Sequence, residues 1–125
     1  MNRSLEPKQH WTIARLAYWY LDRGRFQEAE TLARGLLALD RSDGLAWKYY
    51  AEARCQQDDY DEAVRGFSEA ARLNEEDPEI WMRLGDTLLR LQRTDEARRA
   101  LKRAQNTNGD AARRRRIDAL LVMCN

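Results

Sequence analysis

Side chains able to perform acid–base, nucleophilic or metal chemistry are sparse in this sequence. His10 is the one histidine, and neither Cys55 nor Cys124 has a second cysteine or a histidine at metal-ligand spacing. The paired carboxylates at 58–59 and 75–76 fall in polar turns, where helix capping and solubility explain them. The sequence contains no phosphate-binding glycine loop, nucleophile elbow or zinc-protease motif. We therefore expect a protein that is not an enzyme and that uses no metal or cofactor.

The two cysteines predict a reducing environment. They are far apart and form no CxxC motif, so both are predicted to be free thiols, and the sequence implies no basic partner for the Cys55 thiol that would make it reactive. Segment 1–9 lacks the apolar core of a signal peptide, and no apolar run approaches the roughly 20 residues of a membrane span. A cytoplasmic protein without membrane insertion is expected.

Basic residues are concentrated towards the C-terminus. Between Arg93 and Arg116 nine basic residues face Asp95, Glu96 and Asp110, an excess of six, whereas the whole chain has a net charge of only +1. No aromatic residue alternates with these arginines, as stacking on nucleic-acid bases would require. A solvated outer face is therefore expected, with no nucleic-acid partner. An acidic protein partner is the alternative, and nucleic-acid binding would show itself as a steep dependence on salt.

Length and composition predict one helical domain. The 125 residues are 43% hydrophobic and 34% charged, with only 2 prolines and 6 glycines, which argues against both disorder and a turn-rich β-sandwich. We expect a single domain over residues 1–125, rich in strong helix formers.

The sequence repeats itself every 34 residues. Segments 24–29, 58–63 and 92–97 align, and Trp47 and Trp81 are also 34 residues apart. Each unit contains two apolar stripes at helical spacing, separated by a short polar turn, which predicts an antiparallel pair of helices. The expected units are 10–43, 44–77 and 78–111, followed by a helix at about 112–124 that caps the last unit.

Several positions have defined structural roles in this scheme. Asp77 is a plausible N-cap, because Pro78 follows it in the first turn of a helix. Small residues let the two helices of each unit approach closely, and large apolar residues fill the space around them. The small residues are Ala17, Ala51, Gly85, Ala29, Ala63 and Ala97, and the large ones are Trp47, Trp81, Phe67 and Leu101. Ile117, Leu120, Leu121 and Met123 are expected to form the buried face of the cap.

These motifs resemble the tetratricopeptide repeat (TPR). The third unit reads Trp81-x2-Leu84-Gly85-x2-Leu88 followed by Ala97-x3-Leu101, and the other two units repeat the pattern in phase. The resemblance implies an all-α solenoid of three helix-turn-helix repeats and a C-terminal capping helix, whose first helices line a concave groove for a protein or peptide. The groove positions that it implies are Trp11, Tyr18, Leu21, Leu45, Lys48, Tyr49, Met82, Arg83, Leu89 and Arg90.

The apolar residues in this set predict the kind of partner. A patch containing Tyr18, Tyr49, Met82 and Leu89 is typical of a surface that binds an apolar helix or extended segment, and the basic residues around it would attract acidic flanks of that segment. The alternative is that the cap, the N-terminal segment or a second copy of the chain covers the patch. The chain would then be a scaffold or a homo-oligomer such as a homodimer, and self-association through Trp11, Trp19 and the first helix would favour this alternative.

Two groups of TPR proteins differ in how well they match. Co-chaperones of heat-shock proteins bind a C-terminal carboxylate with Lys, Asn and Arg side chains. Of the five equivalent positions here only Arg83 fits, and the other four are Ala14, Tyr18, Tyr49 and Glu79. The chain is more similar to the small chaperones of bacterial type III secretion, which hold export substrates in an apolar groove. With about ten residues before the first repeat, it resembles the shorter chaperones of needle or export subunits.

Overall fold

The computed structural model describes residues 5–106 and 109–125, and all regular secondary structure within them is helical. Short turns connect the helices up to residue 106. The sequence predicts a further turn at 106–110 before the capping helix, and this turn lies partly outside the described residues. The predicted all-α fold of three helical hairpins and one further helix is confirmed. The helices are α1 (Pro7–Asp22), α2 (Phe26–Leu39), α3 (Gly44–Gln56), α4 (Tyr60–Leu73), α5 (Pro78–Arg90), α6 (Thr94–Gln105) and α7 (Ala111–Val122).

The turn inside each hairpin has the same backbone geometry. Gly24, Asp58 and Gln92 all lie in the left-handed region, with φ of 74°, 63° and 60°, and they are separated by the 34-residue period. Glycine adopts this conformation freely, whereas the other two residues hold it against contact between Cβ and the backbone. The left-handed backbone conformation therefore recurs every 34 residues, although the residue type at that position changes.

Aspartates begin four of the helices. The side chains of Asp43, Asp59, Asp77 and Asp110 each accept a hydrogen bond from a backbone N–H in the first turn that follows. This confirms the predicted cap at Asp77. Asp43 also pairs with His10 Nε2, which joins α1 to the N-cap of α3.

Within the hairpins, the predicted small residues are fully buried at the helix crossings. At Gly85 a Cβ atom would lie 2.5 Å from Cγ of Leu101, so only glycine permits this approach of α5 to α6. The predicted role of the small residues is thus confirmed.

Trp47 and Trp81 each donate a hydrogen bond to the turn that precedes their helix. Trp47 Nε1 donates to the Arg41 carbonyl at 2.8 Å, and Trp81 Nε1 donates to the Glu75 carbonyl at 2.9 Å. Trp47 is buried as predicted, but Trp81 is only half-buried and lies beneath the Arg103 guanidinium.

The C-terminal helix α7 packs against α5 and α6 through Ile117 and Leu120. The prediction that Met123 completes this face is wrong, because Met123 is 67% exposed and Cys124 is buried in its place. Cys124 lies seven residues after Ile117, which is two helical turns, so it continues the apolar stripe that Met123 leaves. None of the helices among the described residues has the length and apolar character to cross a bilayer.

Candidate functional site

The groove, meaning the surface formed by α1, α3, α5 and α7, contains the candidate site. α1 packs beside α3, ion pairs join α3 to α5, and α7 packs beside α5. Three hollows of about 440, 360 and 260 Å³ follow one another along this surface. Tyr18 and Asp22 line both the first and the second hollow, and Arg83 lines both the second and the third. The groove is thus a chain of connected depressions.

The N-terminal hollow is aromatic and open. Trp11 and Tyr18 on α1 are each 58% exposed, and the Tyr18 ring centre lies 6.1 Å from that of Tyr49 on α3. The hollow thus lies between α1 and α3, and the rings of Trp11 and Tyr18 remain open to solvent on its α1 side. Burial raises the pKa of Tyr49, with smaller contributions from the nearby negative charge of Glu52 and from Tyr18, so its hydroxyl stays protonated at neutral pH.

Five residues that line this hollow are absent from the ten predicted groove positions, namely Ala14, Arg15, Trp19, Asp22 and Arg23. Trp19 and Arg23 contribute to it, with the Arg23 guanidinium 4.0 Å from the Trp19 ring centre. Arg15 stacks on Trp11 in the same way at 6.0 Å. The alternation of tryptophan and arginine at four-residue intervals from Trp11 to Arg23 was the available signal, since residues four apart share one side of a helix.

The centre of the groove is a network of ion pairs. Lys48 Nζ lies 3.0 Å from Glu79 Oε2, and Arg83 pairs with Glu52 at 3.1 Å and with Glu79 at 3.2 Å. The sequence predicted that these basic side chains attract acidic flanks of a partner, but carboxylates of this chain already occupy both of them. Glu79, one of the residues that depart from the heat-shock carboxylate clamp, lies beside Arg83.

The two carboxylates in this network respond differently to burial. Burial raises the pKa of Glu52 above its usual range, and the charges of Arg83 and Lys48 offset only part of that effect. Burial also favours the protonated form of Glu79, but the hydrogen bond and charge of Lys48, together with Arg83, outweigh it and lower its pKa. Lys48 and Arg83 therefore stabilise ionised Glu79 more than burial opposes it. For Glu52 the balance is reversed, and burial of its ionised form costs free energy that its partners do not fully offset.

The capping helix α7 forms one side of the C-terminal hollow. Arg116 on α7 lies 3.3 Å from Asp86 on α5, and Arg90 lies 3.8 Å from the same carboxylate. Met82 lines this hollow but is only 7% exposed, because it belongs to the buried cluster that also contains Ile117. The structure therefore gives Met82 a packing role where the sequence suggested an exposed anchor.

The remaining predicted groove residues are also partly withdrawn from solvent. Leu21, Leu45 and Leu89 are half-buried, and the last two pack against the core clusters. Cys55, also half-buried, lies 3.8 Å from the Thr87 hydroxyl, and burial raises the pKa of its thiol, which agrees with the expected inert cysteine. The described residues contain no group of three or more histidine, cysteine or acidic side chains arranged to hold a metal ion.

A row of helical hairpins that lines a groove with its first helices defines an α-solenoid repeat protein. This chain belongs to the tetratricopeptide repeat family. One model with that description matches residues 55–121, and a second matches residues 15–67. Comparison with curated protein sequences gives no match.

Solved structures of type III secretion chaperones share this fold. The Yersinia enterocolitica chaperone SycD, in complex with a peptide of the translocator YopD, matches with a TM-score of 0.87 over 95% of this chain and 94% of that chain. PcrH in complex with the chaperone-binding region of PopD gives a TM-score of 0.90 over 99% and 96%, and PcrH from Pseudomonas aeruginosa gives 0.88 over 99% and 97%. Sequence identity is 20% in all three cases. The likeness therefore establishes a common architecture.

Proposed function

We propose that this chain is a single TPR domain that acts as a small chaperone in the cytoplasm, binding an apolar helix or extended segment of a client protein in its groove. The observation that carries the proposal is the open aromatic hollow at the N-terminal end of the groove, where Trp11 and Tyr18 are each 58% exposed beside Tyr49. Rigid aromatic side chains in a concave, partly desolvated site are typical anchors for a partner.

The matched structures support a client from a secretion system. The SycD structure contains a peptide of the translocator YopD, and one PcrH structure contains the chaperone-binding region of PopD. By analogy, the client of this chain is an export substrate with an apolar segment, which the chaperone keeps from aggregating. SycD is a translocator chaperone, so translocators join needle and export subunits among the candidate clients.

The distribution of charge supports binding without catalysis. In the centre of the groove each charged side chain of the network has an opposite charge as partner, which leaves apolar contact as the main source of affinity. The pKa of the Cys55 thiol is raised, the opposite of what a nucleophile requires. We infer that the groove holds its ligand and does not transform it.

The test begins with native mass spectrometry of the complex isolated from the source cell, which identifies the client. A labelled peptide of the client's apolar segment is then titrated by fluorescence anisotropy against the wild type and against a Trp11→Ala, Tyr18→Ala double variant. We expect the dissociation constant to rise at least tenfold, about 1.4 kcal/mol.

Leu39→Ala is the matched control, because Leu39 is an exposed apolar residue at the end of α2, outside the groove helices. Its affinity should equal that of the wild type. Unchanged affinity in the double variant, with unchanged helicity, would show that the client binds elsewhere.

Self-association is the second candidate function, favoured by Trp19. This ring is 41% exposed, packs edge-on against Tyr20 and lies in the same hollow. If two copies met through α1, native mass spectrometry would show a homodimer with no foreign chain, and Trp19→Ala would return it to the monomer. The scaffold hypothesis would then replace the chaperone hypothesis.

A further inference from the structure

A second hollow lies away from the groove, between α2 and α4. Its volume is about 470 Å³, and α3 contributes the aromatic residues Trp47 and Tyr50 to its lining. None of its lining residues lines the three hollows of the groove. Because it is built from the second helices of two successive hairpins, it is available whether or not the groove is filled.

Four guanidinium groups converge on this hollow, from Arg34 on α2, Arg41 in the following turn, Arg54 on α3 and Arg65 on α4. We call it the arginine pocket. None of the three groove hollows is lined by so many basic side chains. The groove hollows hold basic residues in roughly equal number with acidic ones, whereas the arginine pocket contains one carboxylate, that of Glu62.

The carboxylates around the arginine pocket are fewer than its arginines. Glu30 lies 2.8 Å from Arg34 and 3.5 Å from Arg54, and Asp59 lies 3.7 Å from Arg54. Glu62 lies 3.5 Å from Arg65. Three carboxylates thus meet four guanidinium groups, which leaves one positive charge in excess.

Arg41 carries that excess charge. Among the described residues no carboxylate lies within ion-pair distance of Arg41, whose guanidinium lies 5.2 Å from the Trp47 ring centre. Arg54 has a further unmet requirement, because its buried Nε has no hydrogen-bond acceptor and the oxygen of Glu30 stands 3.5 Å away. The pocket therefore holds an unpaired cation and an unsatisfied guanidinium donor.

Aromatic stacking fixes these guanidinium groups before any ligand arrives. The Arg34 and Arg54 guanidiniums lie 5.2 and 5.9 Å from the Tyr50 ring centre. Tyr50 is held in turn by its hydroxyl, which donates to Glu62 at 2.8 Å. Stacking holds the flat face of a guanidinium in place, so little side-chain freedom is lost when the N–H donors that are not already paired bind a carboxylate.

We propose that the arginine pocket binds a carboxylate side chain of an acidic segment in a partner protein. A carboxylate monoanion matches the single excess charge, whereas a phosphate dianion would exceed it and leave the occupied pocket with a net negative charge. The volume exceeds that of one carboxylate, so there is room for the flanking residues of a peptide. The chain thus has two separate surfaces, one for an apolar segment and one for an acidic segment.

The test follows the arginine side-chain Nε–Hε resonances of the full chain by NMR while capped hexaglutamate peptide is added. We expect the resonances of Arg34, Arg41, Arg54 and Arg65 to shift saturably, and the shifts to weaken as salt is raised. Capped hexaglutamine, of the same length, should not shift them. Inorganic phosphate is titrated separately at matched ionic strength and should bind more weakly than hexaglutamate.

An Arg41→Gln, Arg65→Gln double variant should bind hexaglutamate at least tenfold more weakly. Both residues are exposed, so the fold should survive, and circular dichroism checks this. Arg41→Lys alone keeps the charge but removes the fork of donors, and should weaken binding less than the double variant. Arg72→Gln is the control, because Arg72 is an exposed arginine of α4 paired with Glu69 outside the pocket. Its affinity should stay within twofold of the wild type.

Four results would overturn the proposal. These are the absence of saturable shifts, equal shifts with hexaglutamine, equal loss of affinity in Arg72→Gln, and tighter binding of phosphate than of hexaglutamate. The last result would indicate a phosphate-bearing ligand in place of an acidic peptide.

Discussion

The two ends of the groove are built from equivalent helices of a repeat, yet they present opposite surfaces. At the N-terminal end Tyr18 is 58% exposed in an open aromatic hollow, whereas at the C-terminal end Met82 is 7% exposed and lies beneath the cap. Between them, ion pairs join α3 to α5. Apolar side chains on the first helices of the repeats are thus exposed at one end of the groove and packed in the core at the other, where α7 packs against α5.

Truncating a residue at each end gives the largest expected contrast in stability. Met82→Ala removes buried contacts and should lower the free energy of unfolding by about 2–5 kcal/mol. Tyr18→Ala should change it by less than about 1 kcal/mol, because the side chain is mostly solvated. Urea denaturation followed by circular dichroism measures both. Similar losses in the two variants would mean that the ends do not differ as described.

Breaking the central network should have an intermediate effect. Lys48→Met leaves the partly buried Glu79 without its closest cation, and we expect a loss of about 1–2 kcal/mol in unfolding free energy at neutral pH. Because the pKa of Glu79 is lowered in the fold, its stabilising effect is present above the usual glutamate range and is lost as pH falls through the lowered value. The variant should therefore lose less stability than the wild type on acidification.

Urea titrations at a series of pH values measure this difference. Lys102→Met, at an exposed lysine of α6, is the control and should follow the wild-type profile. If Lys102→Met and Lys48→Met behaved alike, the effect would be one of net charge and not of the pair.

The smallest expected effect belongs to Glu52. Its pKa is raised by burial, so its ionisation costs stability, and that cost appears as pH rises from the usual glutamate range through the raised value. Glu52→Gln removes the ionisation. We expect no loss of unfolding free energy at neutral pH, and a gain of at most about 1 kcal/mol, because Arg83 retains Glu79 as a partner.

The measurement is the pH dependence of the midpoint of thermal unfolding, in which the wild type should decline over a range where Glu52→Gln stays flat. Glu69→Gln, at a carboxylate paired with Arg72 on α4, should keep the wild-type decline. A marked destabilisation of Glu52→Gln at neutral pH would show that the Glu52–Arg83 pair stabilises the groove more than burial opposes it.

The fold was predictable because its signals are local and repeated. The 34-residue period, the small residues at the helix crossings and the cap at Asp77 all predicted features that the structure has. The prediction for the end of the cap was wrong because it followed residue type and not helical spacing. Cys124, two helical turns after Ile117, is buried, whereas Met123 is exposed.

The groove was predictable only in part. The exposure of Trp11 and Tyr18 agrees with the expected aromatic surface, but the pairing of Lys48 with Glu79 and of Arg83 with Glu52 was not foreseen. Each of these pairs joins residues 31 apart on successive first helices. Their contact depends on the rotation and spacing of stacked repeats, which no local pattern encodes.

The sequence by itself determined that this chain forms helical hairpins in a repeating series, because apolar periodicity, turn residues and small residues act within a few positions of one another. Only the tertiary structure decided which side chains remain available for a partner. Availability depends on what the adjacent repeat and the cap bring near: Arg83 is neutralised and Met82 is covered, whereas Arg41 and Trp11 are left facing solvent.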